Sequence, residues 1–143
     1  MRPNFTGEWK LVLAESEFGF LPPPRLRVDS VAHNDPALRM ETRQKDANGD
    51  ITVVRELTIG AAPVPLIIRG NPRRIRAFWD QRALVVETTS EVSGKERRIT
   101  DRWTMEAGAE RLLIERRHQQ PGGPVHQRLV LTRKGADQRC ASQ

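Results

Sequence analysis

The 143-residue sequence has no tyrosine, a single cysteine and only three histidines. One cysteine, Cys140, excludes an intrachain disulfide and a cysteine-built zinc cluster, and its polar C-terminal surroundings point to a free thiol. The histidines, His33, His118 and His126, form neither an H-x-H nor an H-E-x-x-H spacing, so no metal site and no cofactor is expected, a lone axial haem ligand staying open. The glycine patterns of phosphate loops, dinucleotide folds and hydrolase elbows are also missing. No run approaches the roughly 18 apolar residues of a membrane span, and the opening Met1-Arg2-Pro3-Asn4-Phe5-Thr6 has no apolar signal-peptide core. The expectation is a soluble, cytoplasmic monomer or homodimer, with one domain over residues 1–134 and a polar tail over 135–143.

Charge is present in excess of one sign. Lys and Arg total 24 against 18 Asp and Glu, a formal net charge of +6. A nucleic-acid surface gathers such charge on one stripe or arm. Here it is interleaved with acids, as in Lys95-Glu96-Arg97-Arg98 and Glu115-Arg116-Arg117, so a nucleic-acid partner is not expected.

What the sequence does have is alternation. Apolar and polar residues exchange with period two in run after run, the pattern of half-buried antiparallel strands. The runs are Gly7–Leu13, Arg25–Ala32, Ala37–Lys45, Ile51–Ile59, Leu66–Ile68, Arg73–Asp80, Ala83–Val92, Lys95–Met105, Arg111–Gln119 and Val125–Arg133. Tight turn signals such as Asn34-Asp35-Pro36 and Ala47-Asn48-Gly49-Asp50 separate them, and no long crossover intervenes. One helical turn fits between Ala14 and Phe20 before Pro22-Pro23-Pro24 stops it, in a stretch that looks like a lid or cap. Pro63 and Pro65 mark an edge, bulge or wide loop before Leu66. The fold class is therefore all-β: an antiparallel up-and-down barrel of about 8–10 strands, with a sandwich as the alternative, because a long meander loses its edges by closing.

Asn4-Phe5-Thr6-Gly7-Glu8-Trp9-Lys10-Leu11-Val12 resembles the opening strand of the calycins, the lipocalins and intracellular fatty-acid-binding proteins, with their Gly-x-Trp motif. The run from Phe5 to Gly19, with Asp101-Arg102-Trp103, is similar to bacterial lipocalin-like proteins. The resemblance implies a lipocalin-like barrel for small hydrophobic molecules. It also implies an end seal at Trp9 with an arginine of the last strand across it, a role open to Arg128 or Arg133. The chain departs from the fatty-acid-binding proteins in lacking tyrosine for their Arg-x-Tyr carboxylate clamp, and in having too short and proline-rich a segment for their helical lid.

Taking the more apolar face of each strand as inward places Trp9, Leu11, Leu13, Leu26, Val28, Leu38 and Met40 inside. The same register carries Arg55, Thr88, Asp101, Arg116, His118 and Gln127 inward, with Trp79 and Trp103 on the apolar wall. Charged groups on such a face converge or pair. Asp101 either completes an ion pair with Arg116 or Arg55, or orients His118 as an acid–base dyad. His33, before a turn, is expected in solvent and His126 outward. The first functional expectation is binding of a small hydrophobic or amphipathic molecule, with a polar or anionic group on inward arginine or histidine. Arg55, Arg116, Gln127, Trp79, Trp103, Met40 and Thr88 are its candidate residues. The alternative is a cofactor-independent barrel isomerase, cyclase or hydrolase using Asp101 and His118. A basic binding module is the third and needs a one-sided positive surface.

Overall fold

The computed structural model describes residues 2–47, 49–106, 108, 110–119 and 122–133. The proposed tail, with Cys140, lies outside the described residues. Ten strands follow in order: β1 (Gly7–Leu11), β2 (Leu26–Asn34), β3 (Ala37–Asp46), β4 (Gly49–Thr58), β5 (Val64–Ile68), β6 (Asn71–Asp80), β7 (Ala83–Val92), β8 (Lys95–Glu106), β9 (Arg111–Gln119) and β10 (Val125–Arg133). A 3-10 turn follows β1 at Leu13–Glu15 and leaves Leu13, expected on the inward face of the first run, exposed. All neighbouring strands pair antiparallel in the order β4-β3-β2-β1-β10-β9-β8-β7-β6-β5, so the meander curls until β1 meets β10. The outcome is an all-antiparallel, nearly closed barrel. Among the described residues no ladder joins β4 to β5, and that seam is where closure stops. Pro65 sits on β5, an edge strand that can lose a ladder donor without cost to a neighbour.

β1 is short, and the wall it leaves open is completed by the chain that follows. Val12 N–H donates to Val130 O at 2.8 Å, and Glu17 and Arg128 exchange backbone bonds of 2.7 and 2.8 Å in an isolated bridge. Gln127 Nε2 reaches Phe18 O at 3.1 Å. The segment expected to cap the barrel is thus a strap along β10, with Phe18 packed against the core.

The apolar core fills one half of the lumen. Phe5, Trp9, Met40, Trp103, Leu112, Ile114 and Leu131 are at most 1% exposed there. Phe5 meets Trp103 edge-on at 5.6 Å between centroids and stacks with Trp79 and His33 at 6.2 and 5.9 Å. His33 is buried, contrary to the solvated position expected of it: its Nδ1 accepts the Phe5 N–H at 3.1 Å, which turns the ring inward from the end of β2.

The end seal explains the Gly-x-Trp spacing. Gly7 and Trp9 share a face, and the Arg133 guanidinium lies 4.3 Å from the Trp9 ring centroid while Arg133 Nη1 donates to Thr6 O at 2.6 Å. A Cβ on Gly7 would collide with Arg133 Nη1, and Gly7 has φ 150°, a conformation that favours glycine. Arg133 is therefore the arginine over Trp9. Arg128, the other candidate, points outward in the opposite register and is exposed.

Candidate functional site

The other half of the lumen is polar and partly empty. A cavity of about 400 Å³ opens there, lined by Thr42, Val53, Arg55, Thr88, Asp101 and Arg116 among others. That volume lies within the range of small-molecule sites, roughly 300–1,000 Å³.

Cross-strand register brings its groups together. Asp101 on β8 faces Arg116 on β9, and Met40 on β3 faces Arg55 on β4. Trp9 on β1 faces Asp29 on β2, and Asp29 in turn faces Thr42 on β3. Since Trp9 points inward, β2 is obliged to turn Arg27, Asp29, Val31 and His33 inward. This corrects the expected phase of β2, in which Leu26 and Val28 faced the lumen.

Two ion pairs result. Arg116 holds Asp101 in a bidentate fork, Nε to Oδ1 at 2.8 Å and Nη2 to Oδ2 at 3.0 Å. Arg27 Nε meets Asp29 Oδ2 at 3.0 Å, with both side chains at most 4% exposed. Burial alone would raise the Asp101 pKa, but the charge and two hydrogen bonds of Arg116, aided by Arg27 and Arg55, hold it below the ordinary carboxylate value. Burial likewise disfavours the Arg116 cation, yet Asp101 outweighs it and raises the Arg116 pKa.

Arg55 is different. It is 9% exposed, and among the described residues it has no ion-pair partner. Its Nη2 donates to Thr42 Oγ1 at 3.2 Å, while Thr42 Oγ1 itself donates to Asp29 Oδ1. Its Nε is buried with no hydrogen-bond partner. Burial lowers the Arg55 pKa, Asp29 opposes that shift, and Arg27 adds to it. A buried guanidinium left one donor short beside a cavity is a costly arrangement for the protein alone.

The Asp101–His118 dyad is not formed. Both carboxylate oxygens of Asp101 are taken by Arg116, and His118 faces Ile99, two residues further along the ladder. Burial, reinforced by the Arg116 charge, lowers the His118 pKa, so the imidazole is neutral at pH 7. Of the other predicted residues, Arg55, Arg116 and Thr88 line the cavity. Met40 and Trp103 belong to the packed core, and Trp79, half-buried, packs against it while its Nε1 donates to Asp35 at 3.0 Å. All three point inward and none lines the cavity, although Met40 faces Arg55 across the ladder. Gln127 faces Arg116 in the ladder and spends its amide on the strap.

No family model and no curated protein matches the sequence. Solved structures do share the architecture. The zebrafish ileal bile acid-binding protein complexed with cholic acid has a TM-score of 0.62 at 12% identity, covering 90% of this chain and 98% of that one. Human cRBP IV has a TM-score of 0.58 at 14% identity, over 90% and 98%. The fatty-acid-binding protein of Manduca sexta has a TM-score of 0.52 at 13% identity, over 87% and 98%. The chain thus has a calycin-like fold.

Proposed function

We propose that this protein binds a small amphipathic molecule in the barrel lumen, with the molecule's anionic group held by Arg55 and its apolar part against Ile51, Val53 and Ile99. The observation that carries the reading is the buried Arg55 guanidinium, whose Nε lacks a partner beside a cavity of about 400 Å³. An anion there would supply the missing acceptor and the missing countercharge together. Arg27 and Arg116 already have carboxylates and act as a positive frame around it. The structural neighbours named for bile acid and fatty acid support a calycin-like barrel in such a role. The alternative of acid–base chemistry loses its support because Asp101 is committed to Arg116.

A matched pair of ligands tests this: a medium-chain fatty acid and the alcohol of the same length, measured by calorimetry. The wild type is expected to prefer the carboxylate, and Arg55→Met to weaken that binding roughly tenfold to a hundredfold, the size of one charge-assisted hydrogen bond, with little change for the alcohol. Equal affinity of the wild type for acid and alcohol, or a preference that survives in Arg55→Met, would overturn it.

A further inference from the structure

A second recess, of about 330 Å³, adjoins the first at the ends of β6, β7, β8 and β9. The two share Arg73, Thr88 and Ile99 as a common wall. One cross-strand row runs Arg73, Ser90, Arg97, and the next runs Thr88, Ile99, His118. Neighbouring strands lie about 4.8 Å apart, so the two arginines spring from backbone positions roughly 10 Å apart on either side of the serine. Their long side chains flank a hydroxyl, with an imidazole on the adjacent row.

Among the described residues neither Arg73 nor Arg97 has an ion-pair partner, and Arg73 Nε is buried without a hydrogen-bond partner. Glu91 stands at the rim, exposed, and makes no ion pair with them. Arg73 is half-buried and Arg97 exposed, and the charge of Arg97 lowers the Arg73 pKa after burial does, a repulsion that a bound counter-anion would relieve. Five donors of a guanidinium fork, doubled, with a serine hydroxyl between, match the oxygens of a tetrahedral anion better than a planar carboxylate.

We propose that Arg73, Arg97 and Ser90 form a binding site for a tetrahedral dianion, a phosphate or sulfate group, with His118 as its neighbouring donor. This site is separate from the anion position at Arg55 and stands without it. His118 is faced by Arg116 on its own strand, by Asp101 and Arg97 on β8, by Arg73 on β6 and by Glu91 at the β7 rim, with apolar Val125 opposite it on β10. Burial comes first in lowering the His118 pKa and the arginine charges add to it, and a dianion among these groups opposes the arginines' share.

Sulfate is the first probe, because its charge stays constant across the titration range of histidine. Calorimetry on the full chain is expected to show sulfate binding that Arg73→Gln and Arg97→Gln each weaken about tenfold or more, while Arg55→Met leaves it within about twofold. In proton NMR the His118 ring is expected to titrate below 6.5 in the free protein and to move upward at saturating sulfate. Inorganic phosphate and a medium-chain alkyl phosphate then separate the sources. Much tighter binding of the alkyl phosphate assigns the site to a ligand headgroup that reaches in from the first cavity, and equal binding assigns it to the free oxyanion. Absence of sulfate binding, binding indifferent to both arginine variants, or an unmoved His118 titration would overturn the proposal. Loss of fatty-acid binding in Arg55→Met with sulfate retained keeps the two readings distinguishable.

Discussion

At the residue scale, two arginines in one lumen carry opposite consequences when removed. Arg116 is the partner of a buried carboxylate, so Arg116→Met strands Asp101 and is expected to destabilise by about 3–5 kcal/mol in urea unfolding. Arg55 has no carboxylate of its own, so Arg55→Met is expected to leave the free protein as stable as before or more so, while binding suffers. Equal losses for both would mean that Arg55 is a structural ion-pair member and has no ligand to wait for. The Asp101–Arg116 fork also sets a pH dependence. Asp101 has a folded-state pKa below its ordinary value of 3.8, so its stabilisation is fully present above that value and is lost as pH falls through the folded pKa. The advantage of the wild type over Asp101→Asn is therefore expected to be large at pH 7 and to shrink steadily below about pH 4. A gap that stays constant down to strong acid would show that the fork adds no charge-dependent stability.

At the scale of single strands, alternation told which face a residue presents and almost nothing about its height along the barrel. Trp79 and Trp103 point inward as their spacing indicates, yet both pack with the apolar core and neither lines the polar cavity, although Trp103 is the next inward residue after Asp101. Height depends on the stagger of the ladders, which period-two patterning does not contain. β2 was illegible for another reason: Leu26 and Val28 sit in one phase and Val31 in the other, so only its pairing with inward Trp9 decides that Arg27 and Asp29 enter the lumen. Arg73 and Arg97 share the phase of Ile75 and Ile99 but lie near strand ends, past the last strongly apolar position, where a charged residue looks like ordinary surface. The first strand, by contrast, was readable through its motif. Gly7→Ala is expected to displace Arg133 from Trp9 and to cost about 1–3 kcal/mol, through backbone strain and the lost stacking together. Trp9→Ala is expected to cost about 3–5 kcal/mol through the cavity it leaves. A neutral Gly7→Ala with unchanged Trp9 fluorescence would mean that Arg133 has another way across the ring.

At the scale of the whole molecule, the β4–β5 seam makes the barrel a linear chain of strands with two free ends. Each end strand is held by a ladder on one side only, so its opening breaks fewer bonds than global unfolding and leaves β1, β8, β9 and β10 in place. Amide exchange is expected to follow that order, with β5 and the outer side of β4 exchanging fastest and β9 and β10 slowest. Uniform protection around the circumference would contradict it. The seam borders the lumen: Ile51 and Val53 of β4 and Ile68 of β5 all line the cavity, and the Arg69–Asp46 ion pair of 3.6 Å crosses between the flanking hairpins. If the lumen holds a ligand as proposed, local opening of this zipper-like margin would let it leave without the rest of the barrel unfolding.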